Sequence, residues 1–387
     1  MMTSPPSLSE VLGEWGRIGC VGFGGPPTHI KLLRDLCVTR HEWLSPVEFE
    51  DAVAACNLLP GPASTQLAIF CGWRVRGPIG ALVGGAAFIV PGLTLILGLA
   101  ALFLSDPPTP VLAAGAGAGS AVGAVALHTA GSLFSASWRR AGDDGPATQF
   151  RWVLYLIAGI AAAVTLGPWL VVVLVSCGVI ELGLHSIRFH SGPLSVAPMQ
   201  LLATVATGLG TLASLSWVAF KVGALSYGGG FVIIPLMQND AVNMYGWMTG
   251  AQFLNAVALG QVTPGPVVQT VAVVGYAAAG LGGGILAAVI AFSPSFVFVL
   301  AGARHFDLLR RSPAARSFLD GAGAAAIGAI LGSAVSLART LSQPWQFVVL
   351  TAAAGLLLTL RRGIVLTLFA AAAAGVVLVG AGLPLPG

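Results

Sequence analysis

Apolar positions run almost unbroken along this chain, in stretches longer than a soluble core helix needs. Runs near the length that crosses a bilayer recur at about 78–104, 111–137, 282–303 and 317–338. Around them the sequence predicts helical segments at roughly 9–40, 48–76, 78–104, 111–138, 150–165 and 168–186. A second set follows at 199–244, 251–280, 282–303, 316–339, 345–360 and 363–382. Two segments of each set are broken from within. Gly24-Gly25-Pro26 interrupts the first and Pro60-Gly61-Pro62 the second, residue types that end a helix or restart one.

The breaks return at a fixed offset of 204 residues. Gly19-Cys20-Val21-Gly22-Phe23-Gly24-Gly25 reads again as Gly223-Ala224-Leu225-Ser226-Tyr227-Gly228-Gly229. Trp43 matches Trp247, Phe49 matches Phe253, and Pro60-Gly61-Pro62 matches Pro264-Gly265-Pro266. The chain therefore divides into one repeat over 1–185, a linker at 186–198, and a second repeat over 199–387. Broken helices at matching positions of two membrane-embedded halves point to the substrate site of a transporter.

Composition agrees with a membrane protein. Hydrophobic residues make up 56% of the chain and charged residues 8%, against about 25% charged in soluble domains. Mean hydropathy is +0.89. As a soluble protein the chain would expose continuous apolar helix surfaces. Its first eleven residues hold no Lys or Arg and do not read as a signal peptide. The basic residues sit in short loops without interleaved aromatics, which argues against nucleic-acid binding. Cys20, Cys37, Cys56, Cys71 and Cys177 form no C-x-x-C and read as small packing residues. No metal-ligand spacing is present, which disfavours a heavy-metal cation as cargo. Nor is there a phosphate-cradling loop, a nucleophilic triad or a paired-carboxylate motif. Neither ATP hydrolysis nor any other enzyme activity is expected, and no cofactor.

Loop charge gives the topology. Basic loops follow the second, fourth and sixth segments of the first repeat (Arg74 and Arg76; Arg139, Arg140 and Arg151; Arg188). In the second repeat they follow the third and fifth (Arg304, Arg310, Arg311 and Arg316; Arg361 and Arg362). The positive-inside rule then sets equivalent loops on opposite faces, an inverted-topology repeat. Such a repeat needs an odd number of crossings per half. One of the two broken segments is then re-entrant, or the two together cross once or three times. The expected fold is an all-α polytopic membrane protein, two homologous halves related by an in-plane pseudo-two-fold axis.

The breaks also carry the candidate chemistry. Gly24 and Gly25 precede a half-helix with Thr28 and His29 in its first turn; Pro60, Gly61 and Pro62 precede one with Ser64 and Thr65. The second repeat offers Tyr227, Gly228 and Gly229, then Thr263, Pro264, Gly265 and Pro266 with Gln269. Half-helix N-termini present unpaired N–H groups and about half a positive charge, suited to a small anion. The chain has two lysines, Lys31 and Lys221. Lys221 lies in an apolar run, and its counterpart at the offset is Arg17; two such cations facing one cavity would suit a dianion. Glu14, Asp35, Asp240 and His29 are candidates for a coupling proton. Glu42, Glu48, Glu50 and Asp51 read as a solvated surface, and His128 as a packed histidine.

At these motifs the chain resembles the chromate ion transporter family in its long two-domain form. The resemblance rests on Gly22-Phe23-Gly24-Gly25-Pro26 with His29, on Trp43, and on Leu59-Pro60-Gly61-Pro62-Ala63-Ser64. In the second half it rests on Tyr227-Gly228-Gly229-Gly230, Pro235-Leu236, Gly246-Trp247 and Thr263-Pro264-Gly265-Pro266. It covers about 9–185 and 213–383. Where the family commonly carries charge, this chain has Leu36, Thr39 and Gln238-Asn239. The resemblance implies a multi-pass exporter of chromate in the bacterial inner membrane, driven by the membrane gradient, with sulfate as the structural analogue. The expected partners are the oxyanion and the lipid bilayer, with a homodimer as a candidate assembly. The rival readings are a passive anion channel with the same site, a transporter of sulfate or an organic acid, and a non-transporting membrane enzyme or receptor.

Overall fold

The structure is a computed structural model that describes residues 6–105, 107–166, 170–189, 210–226, 230–303 and 312–386. Among the described residues there is no strand, and fourteen α-helices carry the fold. The first half contains α1 (Leu8–Val21), α2 (Pro26–Arg34), α3 (Pro46–Leu58), α4 (Ala63–Leu104), α5 (Thr109–Asp143), α6 (Pro146–Ala161) and α7 (Leu170–Phe189). The second contains α8 (Thr211–Leu225), α9 (Ile234–Gln238), α10 (Gly250–Val262), α11 (Thr270–Gly302), α12 (Pro313–Arg339), α13 (Pro344–Ala354) and α14 (Ile364–Gly380). Five helical stretches have the length and apolarity of membrane spans: Ala63–Leu104, Thr109–Asp143, Pro146–Thr165, Val267–Gly302 and Pro313–Arg339. The protein is an all-α, multi-pass membrane protein.

The repeat is legible in local geometry. Ser45 caps α3 with Glu48 closing a capping box, and 204 residues on Thr249 and Gln252 do the same for α10. The stretch after α2 widens into π turns at Asp35–Arg40, as does Asn239–Met244 after α9. Helix packing repeats too. Gly19 of α1 lies against α4, where a Cβ would fall 2.7 Å from the Phe88 carbonyl oxygen. Gly223 of α8 lies against α11, where a Cβ would fall 1.9 Å from the Ala291 oxygen. Only glycine permits that approach, the small-residue contact by which membrane helices pack.

Two expected segments, 48–76 and 78–104, meet in one helical run, α4, which bends sharply at Arg76 and Gly77. Gly77 has φ +66°, and the arms fold back so closely that a Cβ on Gly72 would sit 2.4 Å from the Gly80 oxygen. α11 repeats the bend at Ala279–Gly280, with Gly275 against Gly283.

Both broken segments of the first half are re-entrant. The chain leaves α1, turns at Gly22–Gly25 and comes back, so that Arg40 pairs with Glu14 at 2.9 Å. Likewise α3 turns at Pro60–Pro62, and the first arm of α4 returns until Arg74 pairs with Glu48. Sequence charge alone left the choice between one re-entrant segment and several crossings open. The ion pairs at the hairpin mouths make both segments hairpins, which corrects both alternatives, since each required an odd number of crossings from the two together.

Helices at the 204 offset run in opposite directions. The end of α5 and the start of α12 share one polar vestibule, lined by Arg140 and Asp144 from the one and Pro313 and Arg316 from the other. At the far end of α12, Thr340 abuts Gly250 at the start of α10 and accepts a hydrogen bond from Gln238 at 3.1 Å. The counterpart hairpins thus enter from opposite ends of the molecule.

Candidate functional site

The tips of the hairpins meet in the middle of the fold. The amide of Gly265 donates to the Gly22 carbonyl at 3.0 Å, linking the second half to the end of α1. In the other direction Gly61 lies against α8 and α11, its missing Cβ 3.3 Å from both the Gly223 oxygen and Ser295 Oγ. Gly61 and Gly265 hold φ of +116° and +95°, a region where a side chain is strained. Each break is wedged against the opposite half.

A cavity of about 440 Å³ opens beside these tips. Its wall includes Gly24, Gly25 and Pro26 at the start of α2, Gly61 and Ala63 at the start of α4, and Val267 after the second Pro-Gly-Pro break. Across from them stand His128, Thr129 and Ser132 of α5 and Ile327 and Ile330 of α12. The two half-helix starts differ chemically. α2 begins Pro26-Pro27, so these positions contribute a dipole but no N–H groups. In α4 the Thr65 and Gln66 amides turn back to the Pro62 oxygen at 3.0 and 3.1 Å, which leaves Ala63 and Ser64 as first-turn donors.

His29 is fully buried and does not line the cavity. Its Nε2 lies 2.8 Å from the Gly22 oxygen and its Nδ1 3.2 Å from Ser64 Oγ. Through these two contacts the ring ties the two hairpin tips together. Thr28, Ser64 and Thr65 are likewise absent from the wall. Thr263 donates to its own helix at Leu259, and Gln269 Nε2 donates to the Ile89 oxygen at 2.9 Å. The Pro60 oxygen accepts from Gln66 Nε2, and the Pro264 oxygen lies against Gly92 of α4. Pro62 and Pro266 occupy cap positions at the starts of the following helical turns. Tyr227, Gly228 and Gly229 lie outside the described residues.

The two expected substrate cations stand apart from this cavity. Arg17 is exposed and donates to Glu14, which also holds Arg40. Lys221 pairs with Asp240 at 2.5 Å, and Asp240 has no exposed surface. Asp35 is exposed on the π turn after α2. Among the described lining residues, the charged side chain is Arg140, and the titratable ring is His128, which sequence pattern marks only as a packed histidine. Arg140 and Ser137 line both this cavity and the vestibule of about 630 Å³ beside it, so they form the neck between the two. Sequence pattern gave Arg140 to a cytoplasmic loop; the length of α5 brings it back over the cavity mouth.

Buried polar atoms without a partner gather around the breaks: Thr65 Oγ1, Gln66 Oε1, Ser226 Oγ, Gln261 Nε2, Gln269 Oε1 and Ser295 Oγ. Each such group costs about 1–3 kcal/mol when left unpaired. Among the described residues no cluster of His, Cys, Asp and Glu suits a metal ion.

The sequence family described as Chromate transporter matches residues 9–182 and 213–376. A chromate transport protein of Cupriavidus metallidurans is 31% identical over 86% of this chain and 83% of its own length. One from Pseudomonas aeruginosa is 26% identical over 88% and 83%. A probable chromate transport protein of Synechococcus elongatus is 28% identical over 86% and 85%. No solved structure matches the chain. With the family matched across both hairpin-bearing halves and these relatives covered over most of their length, the chain belongs to the chromate transporter family.

Proposed function

We propose that this protein is a secondary transporter that moves chromate, a tetrahedral dianion, out of the cell across the inner membrane. One observation carries the reading: the starts of α2 and α4, together with Val267 after the fourth break, open on a single cavity whose neck holds Arg140. The dipoles of two half-helices and one guanidinium supply positive potential without a buried, unpaired cation. The chromate transport proteins among its relatives support the choice of substrate.

The asymmetry of the two halves supports export by alternating access. In the first half, α3 stands off from α12 with the cavity between them. In the second, α10 is closed onto α5, where the missing Cβ of Gly115 would meet Asn255 at 3.0 Å and that of Gly119 would meet Leu254 at 3.1 Å. The opening leads through the vestibule at the end rich in Arg140, Arg151 and Arg316, which the positive-inside rule makes cytoplasmic. This is the state that collects an anion from the cytoplasm. A passive channel needs a continuous wet pore, and the seam between α5 and α10 stands against one.

Uptake into sealed proteoliposomes tests the reading. With a proton gradient imposed at zero membrane potential, chromate should accumulate against its own concentration gradient. Flux that only follows the electrochemical gradient and passes many ions per opening would make the protein a channel. Transport of sulfate with chromate excluded would overturn the substrate.

A further inference from the structure

Each Pro-Gly-Pro break is preceded, three residues before its first proline, by a side-chain amide: Asn57 before Pro60, and Gln261 before Pro264. The two stand 204 residues apart, at the same register of α3 and α10. Both line the break-lined cavity, and so they bring to it one amide from each half. Asn57 is exposed, whereas Gln261 is 6% exposed and its Nε2 has no hydrogen-bond partner. Buried side-chain donors in native proteins are almost always paired. A donor left unpaired in the wall of a cavity is a place made for an acceptor.

The surrounding chemistry says which acceptor. Gly61 and Ala63 bring the positive end of α4 to the same cavity, and Arg140 stands at its neck. No carboxylate is among the described lining residues. A fully ionised tetrahedral oxyanion offers only acceptor oxygens, four of them, directed to different walls. Neutral amides meet such an ion without the desolvation cost of a buried charge. We propose that Asn57 and Gln261 are a symmetry-related pair of amide donors that grip the oxyanion, one from each repeat. This assignment rests on the transport reading above and names the side chains that discriminate the substrate. It also gives the repeat a use. When the halves exchange shapes, the buried and the exposed amide exchange places, and the ion keeps one donor from each side throughout.

The test is isosteric. Asn57→Asp and Gln261→Glu keep size and turn a donor into a carboxylate, while Asn57→Gln and Gln261→Asn keep the donor. Chromate binding is measured by calorimetry on the full-length protein in detergent, and chromate flux in proteoliposomes, with elution profile and melting temperature recorded for each variant. Losing a hydrogen bond to a charged ligand and gaining a repulsion should weaken chromate binding at least about tenfold in each acid variant. The amide-for-amide variants should stay within a few-fold of the wild type. Asn57 is exposed, so Asn57→Asp carries the test even where Gln261→Glu fails to fold. Chromate affinity within twofold of wild type in Asn57→Asp, with wild-type flux intact, would overturn the assignment while leaving the transport reading standing. Wild-type protein that neither binds nor moves chromate would overturn both.

Discussion

Gly265 donates its amide to Gly22 at 3.0 Å, although 243 positions separate the two in sequence order. Through this bond the break of one repeat is held by the first hairpin of the other, and Gly61 against Gly223 completes the exchange. Neither repeat can reshape its break alone. The breaks are also what let the hairpins turn. A continuous helix over 46–76 would carry Glu48 and Arg74, 26 residues apart, to about 39 Å from each other. Their ion pair requires the turn.

Replacing Pro60-Gly61-Pro62 by three alanines should therefore lower stability, the opposite of what helix propensity alone implies. The single change Gly61→Ala is the cleaner probe. It forces a side chain to φ +116°, with its Cβ 2.7 Å from Gln66 Nε2. A loss of about 1–2 kcal/mol is expected from the backbone alone, together with impaired chromate flux. Gly265→Ala should behave alike. Melting curves in detergent and flux on the same preparations check this. A variant that melts higher and still transports would show that the breaks are packing features.

Lys221 and Asp240 form a charge pair within the second half, with side chains 17% and 0% exposed. Removing one partner leaves the other charge buried and uncompensated, a loss of about 3–5 kcal/mol in such pairs. Lys221→Ala should be poorly folded, and Lys221→Met with Asp240→Asn should recover most of the stability. Melting temperatures of the single and double variants measure the coupling. Unchanged stability with lost chromate binding in Lys221→Ala would make this lysine a substrate ligand instead.

How much of this was legible in sequence depends on range. The repeat, its four breaks and the apolar spans are local signals: Gly, Pro and hydropathy at fixed positions declare them. What sequence could not tell was which partner each side chain finds. Lys221 and Arg17 match at the offset, yet their neighbours differ: Asp240 waits for Lys221, while Leu36 stands at the equivalent position in the first half. His29 reads as a titrating group by type, and its sequence neighbours do not announce that Gly22 and Ser64 are the partners of its two nitrogens. Arg140 reads as a loop charge because the predicted helix stops near 138, whereas α5 runs on to Asp143 and faces the cavity neck. The Asn57 and Gln261 match was available at the same offset, but an amide before a proline carries no signal until a cavity forms around it.

Arg140 lies 3.8 Å from Asp320 across the vestibule, with side chains 65% and 43% exposed. A pair so exposed contributes little to folding, so neither Arg140→Ala nor Asp320→Asn should shift the melting temperature appreciably. Their effects on transport should be opposite. Arg140→Ala removes the charged group at the neck and should weaken chromate binding roughly ten- to a hundred-fold, an effect that added salt reduces. Asp320→Asn removes the competing carboxylate and should lower KM while slowing release, so kcat falls with it. Equal KM in both variants and the wild type would remove Arg140 from the path of the ion.

Orientation follows from the antiparallel course of α5 and α12. The vestibule joins the end of α5 to the start of α12, so both belong to one face. The far end of α12, at Thr340 and Gln343, belongs to the other. Arg139, Arg140, Arg151 and Arg316 gather at the vestibule end, and basic loops stay on the cytoplasmic side. A cysteine placed at Asp144 or Arg316 should be shielded from an impermeant thiol reagent in intact cells and labelled after lysis. One at Ser342, which is exposed, should be labelled in both. Of the native cysteines, Cys20 is exposed and is replaced by serine beforehand, while Cys37, Cys56, Cys71 and Cys177 are buried. Labelling of Asp144→Cys and Arg316→Cys from outside would invert the molecule. The cavity would then open to the exterior, and the state described would be the one that releases the anion rather than the one that collects it.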